Sequence, residues 1–333
     1  MKRNTILLAL VVIALGVLAV VLVSKNGSGT LKPELKDFAV QDTASIDKIF
    51  MVKKSNDQVL LTKENDTWMV NDIYPVRQEA ISLLLKTIQR VRVKAPVSKS
   101  AQDYVLKMMA TRNTKVEIYS KGKLLKTYYV GGPTQDQVGT FMMLEGSSVP
   151  FVVSIPGFAG YLSGRYFTSQ DEWRTPMILK YDFKEIAQIK SINNDKPEQS
   201  FLLSNRNDNI MVSRLQDNWQ APALDTLALR FFISNYERVA CEFFADLLEQ
   251  DIKDSLAAAQ PFHVLEVTDV YGKKTKIEAH RRAPRGEIDP EEPVYEFDRE
   301  RMFARINDDI WVVIQYYVFD PLFREFDFFA PQN

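Results

Sequence analysis

One cysteine and two histidines are all that the 333 residues hold of the side chains behind most metal and redox centres. A lone Cys241 excludes an intrachain disulfide and any thiolate-cluster metal site. It lies in the apolar run Val239–Phe244 and reads as a small buried hydrophobe. His263 and His280 stand seventeen positions apart with no cysteine or further histidine near them, and they read as strand residues rather than ligands. Charge of one sign is also missing. Forty-two Lys and Arg against 43 Asp and Glu leave a net charge of -1, without the cationic excess that general nucleic-acid binding needs. No Gly-x-Ser-x-Gly, His-Glu-x-x-His or phosphate-cradling glycine loop occurs, so no catalytic, cofactor-binding or metal-binding residue is assigned. The carboxylate pairs Asp171/Glu172 and Glu291/Glu292 are adjacent in sequence. On a strand they would point to opposite faces, which suits a solvated turn better than acid–base work.

What is present begins at the N-terminus. Met1–Asn4 is positive, and Thr5–Val23 carries no charge. Nineteen helical residues span about 28 Å, close to the hydrocarbon thickness of a bilayer. A cleaved signal would have a shorter apolar stretch followed by small residues, where Val21, Leu22 and Val23 stand instead. The expectation is an uncleaved single-pass anchor in membrane lipid through residues 5–23. Lys2 and Arg3 outweigh Lys25 on the other flank, which places the N-terminus inside and the body in the periplasm. Ser24–Thr30 is a tether of small polar residues.

Beyond the tether the chain repeats an order of features. Ile46/Ile49 and Ile186/Ile189 open the two copies. Gln58–Thr62 and Ser200–Ser204 follow as short apolar-centred stretches. Trp68 and Trp219 then precede Pro75 and Pro222, and helical runs close on Arg90-Val91 and Arg238-Val239. A fixed order over this length predicts duplication of a packed unit. Alternating patterns predict strands around Ile46–Met51, Val59–Leu61, Trp68–Val70, Lys115–Tyr119, Lys126–Val130, Thr140–Leu144 and Phe151–Ile155. Pro75 is expected in the first turn of a helix whose apolar face runs through Ile81, Leu84, Leu85 and Ile88. Ser100–Asp103 reads as a capping box opening a second helix, with Asp251–Asp254 in the same place in the second copy. Leu224, Leu227, Ala228, Phe231, Phe232, Tyr236 and Val239 are expected to form the helical face of that copy. The offset between copies grows from 150 at Gly122/Gly272 to 160 at Val153/Val313, so the second carries an insertion of about ten residues, placed at Arg281–Pro293.

That insertion holds Arg281, Arg282 and Arg285 against Glu287, Asp289, Glu291 and Glu292. The bland reading is a solvated loop whose charges neutralise each other; the sharper one is a partner-docking arm. Tyr316–Phe329 is dense in aromatics, most of which are expected to dock on the core. Phe326, Phe328 and Phe329 are its candidate contact residues, if part of the run stays exposed.

Trp68-Met-Val70 with Tyr74-Pro75, and Trp173-Arg174 leading to Lys184-Glu-Ile-Ala-Gln-Ile189, resemble the domain-of-unknown-function family 4340 over most of Ile46–Ile192. The resemblance implies a membrane-anchored extracytoplasmic protein, some of whose relatives are encoded beside gliding-type ABC transporters; it carries no catalytic residue. The resulting expectation is an α+β fold of two duplicated units of antiparallel strands and helices behind one transmembrane helix. Residues 1–23 are the anchor, 24–45 linker and lead-in, 46–166 the first repeat, 167–185 a connector and 186–333 the second repeat. The expected function is a non-enzymatic binding or scaffolding subunit in the inner membrane of a double-membraned bacterium. It would need no cofactor and would serve a membrane protein complex such as an envelope transporter or secretion apparatus. A rival is a periplasmic hydrolase whose carboxylates meet only on folding. A deep pocket of converging acids favours the hydrolase, and a shallow cleft favours the binder.

Overall fold

The computed structural model describes residues 36–206, 209–220, 223–284 and 295–330. The expected anchor at 5–23 and its tether lie outside them, and among the described residues no helix is long and apolar enough to cross a membrane. The fold is α+β with antiparallel sheets, and the chain divides into two compact units between Thr175 and Pro176, inside the expected connector.

In the first unit, strands β1 (Lys48–Lys53), β2 (Gln58–Glu64), β3 (Thr67–Val70) and β4 (Tyr74–Pro75) lead into helix α1 (Gln78–Arg90). Strand β5 (Arg92–Pro96), helix α2 (Lys99–Thr111) and strands β6 (Thr114–Ser120), β7 (Lys123–Pro133), β8 (Thr140–Leu144) and β9 (Phe151–Ser154) follow, and the short helix α3 (Gln170–Trp173) ends the unit. One nine-stranded sheet results, in the order β4-β3-β2-β1-β6-β7-β8-β9-β5. Period-two alternation sends Ile49, Met51, Leu61, Ile118, Tyr128 and Met142 to one face, all of them buried. There they join Ile81, Leu84 and Ile88 of α1, whose spacing of three and four makes a single helical stripe. A threonine sits in that stripe without penalty: Thr87 Oγ1 donates to the Leu83 carbonyl (2.7 Å) and accepts from Arg165 Nη1 (2.9 Å). Helix α2 covers the other face at the β7–β9 end, where Val105 and Met109 meet Tyr129, Phe141, Met143 and Val152. Toward β1 and β6 that face carries a polar ladder, with Lys115 on Glu117 (2.8 Å) and Tyr119 donating to the same carboxylate (2.7 Å).

The second unit contains β10 (Met177–Leu179), β11 (Ile186–Asn193), β12 (Phe201–Arg206), β13 (Asn209–Arg214), helix α4 (Thr226–Ser234), β14 (Val239–Ala240) and β15 (Phe243–Phe244). Helix α5 (Gln250–Ala258), strands β16 (His263–Asp269), β17 (Lys274–His280), β18 (Arg301–Ile306) and β19 (Ile310–Gln315), and the short helix α6 (Tyr316–Phe319) complete it. Its eight-stranded sheet runs β13-β12-β11-β16-β17-β18-β19-β15, while β10 and β14 pair apart from it. Phe201, Phe232 and Phe329 pack edge-to-face with centroids 5.0–5.8 Å apart at the centre of this core. Helix α5 places Leu256 beside Ala245, Phe303, Trp311 and Val313 on the opposite face.

Several expectations need correcting. Pro75 is in edge strand β4, not a helix; it has no N–H to offer, and its carbonyl accepts from Thr175 (2.9 Å). Helix α2 begins at Lys99, so Ser100 lies within its first turn and no side-chain cap forms there. Ser163–Arg165 forms a 3-10 turn ahead of α3. Helix α4 is capped by Asp225, which accepts from Leu227 N (2.8 Å) and Ala228 N (3.0 Å), and it ends at Ser234 rather than reaching Val239. Its buried face is Leu229, Phe232 and Ile233, leaving Leu227 80% and Phe231 52% exposed. Trp219 does not take the position of Trp68: Trp68 is buried in β3, whereas Trp219 lies beyond β13, half exposed against Phe326.

Candidate functional site

The ends of β1, β6 and β7 and the C-terminus of α2 meet around a cleft of about 410 Å³ in the first unit. Strand β1 delivers Lys53 to its rim, and the following turn delivers Lys54 and Ser55. That turn is closed by Asn56 N–H donating to the Lys53 carbonyl (3.0 Å) and by Ser55 Oγ donating to Asp57 (2.8 Å), with Asn56 in the left-handed region (φ 72°) that asparagine tolerates. The chain leaving helix α2 supplies Arg112 and Asn113. The helix's terminal carbonyls would oppose an anion, but side chains cover two of them: Thr111 Oγ1 donates to Met108 O (3.0 Å) and Asn113 Nδ2 to Met109 O (2.6 Å). The floor is Val130-Gly131-Gly132 of β7. A Cβ at Gly131 would stand 3.0 Å from Met109 Cγ and 3.1 Å from the Phe141 carbonyl, so glycine is what lets α2 pack this close.

Lys53, Lys54 and Arg112 are exposed, and none has an ion-pair partner among the described residues. No Asp or Glu lines this cleft. Two clefts of the second unit are different. One, of about 320 Å³, holds Lys276 on both Asp308 (2.9 Å) and the neighbouring Glu278 (2.7 Å). The other, of about 370 Å³, is lined by Arg281, Asp298, Tyr316 and Asp320. Burial raises the Asp320 carboxyl above its usual range. Burial also works to raise Asp298, but the N–H groups of Glu300 and Arg301 (2.9 Å each) and the Arg282 guanidinium hold it below that range. Asp298 thus uses its acceptors within the fold, and the two acids are not an unengaged converging pair.

The residues singled out from sequence divide three ways. Arg285, Glu287, Asp289, Glu291 and Glu292 lie outside the described residues. Arg281 and Arg282 do not belong to a solvated arm; they root it in the fold. Arg281 pairs with Asp195 and lies over the Phe262 ring (4.6 Å). Arg282 is 6% exposed and donates to Asp298 Oδ2 (2.8 Å). Phe326 and Phe329 are core residues, because the tail folds back onto the second sheet, and they offer no contact surface; Phe328 is half-buried. His263 and His280 are buried in β16 and β17. His263 Nε2 meets Ser191 Oγ at 2.8 Å, its ring stacks on Phe323 at 4.2 Å, and burial pushes its pKa down to about 4. Among the described residues no three metal-ligating side chains gather.

Sequence reading passed over Lys53, Lys54 and Arg112. Their only local signals are a lysine pair at a strand end, an Arg-Asn after a helix and a Gly-Gly within a strand. The fold, not the spacing, brings these segments together.

No curated protein and no solved structure matches the chain. A family model described as Domain of unknown function (DUF4340) matches residues 68–239, from β3 to β14. The match covers just over half of the sequence and includes Trp68, Tyr74-Pro75 and Trp173-Arg174, and the chain belongs to the DUF4340 family.

Proposed function

We propose that this protein is a single-pass, membrane-anchored binding or scaffolding subunit. Its body occupies the periplasm and consists of two copies of one ancestral unit. The uncharged stretch Thr5–Val23 with its flanking charges supports the anchor and its orientation. Duplication is supported by the strand orders: apart from the edge strand β4, β3-β2-β1-β6-β7-β8-β9-β5 in one sheet and β13-β12-β11-β16-β17-β18-β19-β15 in the other, each with a helix between its third and fourth strands along the chain and another between its fourth and fifth. The observation that carries a binding role is the cleft of the first unit, where three cations gather with no counter-charge of their own. A membrane protein complex such as an envelope transporter or secretion apparatus is the partner class.

The test is recovery of partners. Intact protein purified from gently solubilised membranes should carry an integral membrane protein at fixed stoichiometry through a second, orthogonal column. Elution of the chain alone under several mild detergents would contradict the subunit role. Turnover of ester, amide or glycoside substrates by the purified chain would move it to the hydrolases.

A further inference from the structure

The two sheets share not only their order but their register, and this permits a position-by-position comparison of the cleft. In the first unit Lys53 pairs with Thr114, and Thr114 with Val130. In the second Asn193 pairs with His263, and His263 with Ala279. Lys53-Lys54-Ser55 therefore corresponds to Asn193-Asn194-Asp195, Arg112-Asn113 to Pro261-Phe262, and Gly131-Gly132 to His280-Arg281. All three cations of the first unit are neutral in the second. A carboxylate, Asp195, appears where Ser55 stands, and a guanidinium, Arg281, where Gly132 stands, and these two form an ion pair with Arg281 resting on Phe262. The second unit thus closes this place with its own anion, its own cation and an aromatic ring. The first keeps it open at Gly132, and the only charged residues lining it are Lys53, Lys54 and Arg112.

We propose that the cleft of the first unit binds a small organic oxyanion, a phosphate ester or a polycarboxylate, whose charge takes the place that Asp195 fills in the second unit. Lys53 and Lys54 act as two mobile point charges and Arg112 as a planar fork able to hold two oxygens at once. Gly132, where Arg281 stands in the other unit, carries no side chain over the floor and lets the ligand reach the backbone there. The ligand class deepens the binding role proposed above and rests on it, but is tested separately from partner recovery.

The experiment is isothermal titration of the detergent-solubilised full chain at low ionic strength with glycerol 3-phosphate and, separately, citrate. Saturable binding to at least one is expected, with glycerol 3-phosphate alone indicating phosphoryl recognition and citrate alone carboxylate recognition. Joint replacement of Lys53, Lys54 and Arg112 by Gln should weaken binding at least tenfold. Ser55→Asp, which keeps all three cations but supplies the internal carboxylate, should also weaken it about tenfold. Lys121→Gln with Lys123→Gln, at the exposed β6–β7 turn, should leave it unchanged. An unaltered thermal midpoint in each variant keeps loss of folding separate from loss of binding. No saturable binding to either probe, or equal weakening by the turn variant, would overturn the proposal. If partners are still recovered, only the ligand class falls; if binding holds without partners, only the assembly does.

Discussion

His263 is a histidine held uncharged inside a sheet. It occupies the register position of Thr114, but its larger ring fills space between Ser191 and Phe323 and stays neutral there. Its pKa is about 4 in the fold and about 6.5 in an unfolded chain, so between those values the unfolded state binds more protons. Stability is therefore full above about pH 6.5, declines as pH falls toward 4, and loses no more from this group below that. The total is on the order of 3 kcal/mol. Urea midpoints of the second unit should fall between pH 7 and 4.5, and His263→Gln should fall less steeply; parallel curves would refute the assignment. The residue types at this position were readable in sequence, and a strand histidine was the expected reading. Arg282 was not readable. A run of mixed charge looks solvated, and only the fold shows one member of it buried against Asp298.

Among the elements, the long alternating strands were legible because a half-buried sheet imposes a period of two on residues such as Ile49–Met51 and Val116–Ile118. Edge strands β5, β14 and β15 were not, since two to five residues are too few to show a period, and β5 is exposed through most of its length. The stripe of α1 was legible, but that of α4 was misread by about one residue's rotation, because Leu227, Leu229, Phe231, Phe232 and Ile233 leave apolar side chains on nearly every side. The buried set can be separated by mutation. Leu229→Ala should cost about 2–5 kcal/mol by leaving a cavity under the helix. Leu227→Ala should stay within about 0.5 kcal/mol, its side chain being already in water. Chemical denaturation decides, and equal losses would restore the sequence-derived face.

At the scale of the molecule, the strand order common to the two units was visible in sequence, but its landmarks were not. Trp68 and Trp219 suggested an alignment that strand register replaces: Leu61 pairs with Val70 and Leu203 with Val212, so Ile210 takes the place of Trp68. The insertion between β17 and β18 remains, but its roots Arg281 and Arg282 are structural. Excision should be confined to 285–294. Replacing those residues with a short Gly-Ser link should move the thermal midpoint little, because loop-closure entropy changes by only about 0.6 kcal/mol per doubling of length, and it should reduce partner recovery. A collapsed midpoint would make the segment structural, and full recovery would exclude it as the docking arm. The cleft was illegible in sequence for a physical reason: its cations come from two segments, Lys53-Lys54 and Arg112, that only antiparallel pairing of β1 and β6 brings together.

The proposed role places the body outside the cytoplasmic membrane, held by residues 5–23. Protease added to intact spheroplasts tests this directly. The expected result is digestion of the body with cytoplasmic markers untouched, leaving a short N-terminal fragment that sediments with the membrane. A body protected until the membrane is opened, or one released as soluble protein with a new N-terminus near residue 24, would contradict it.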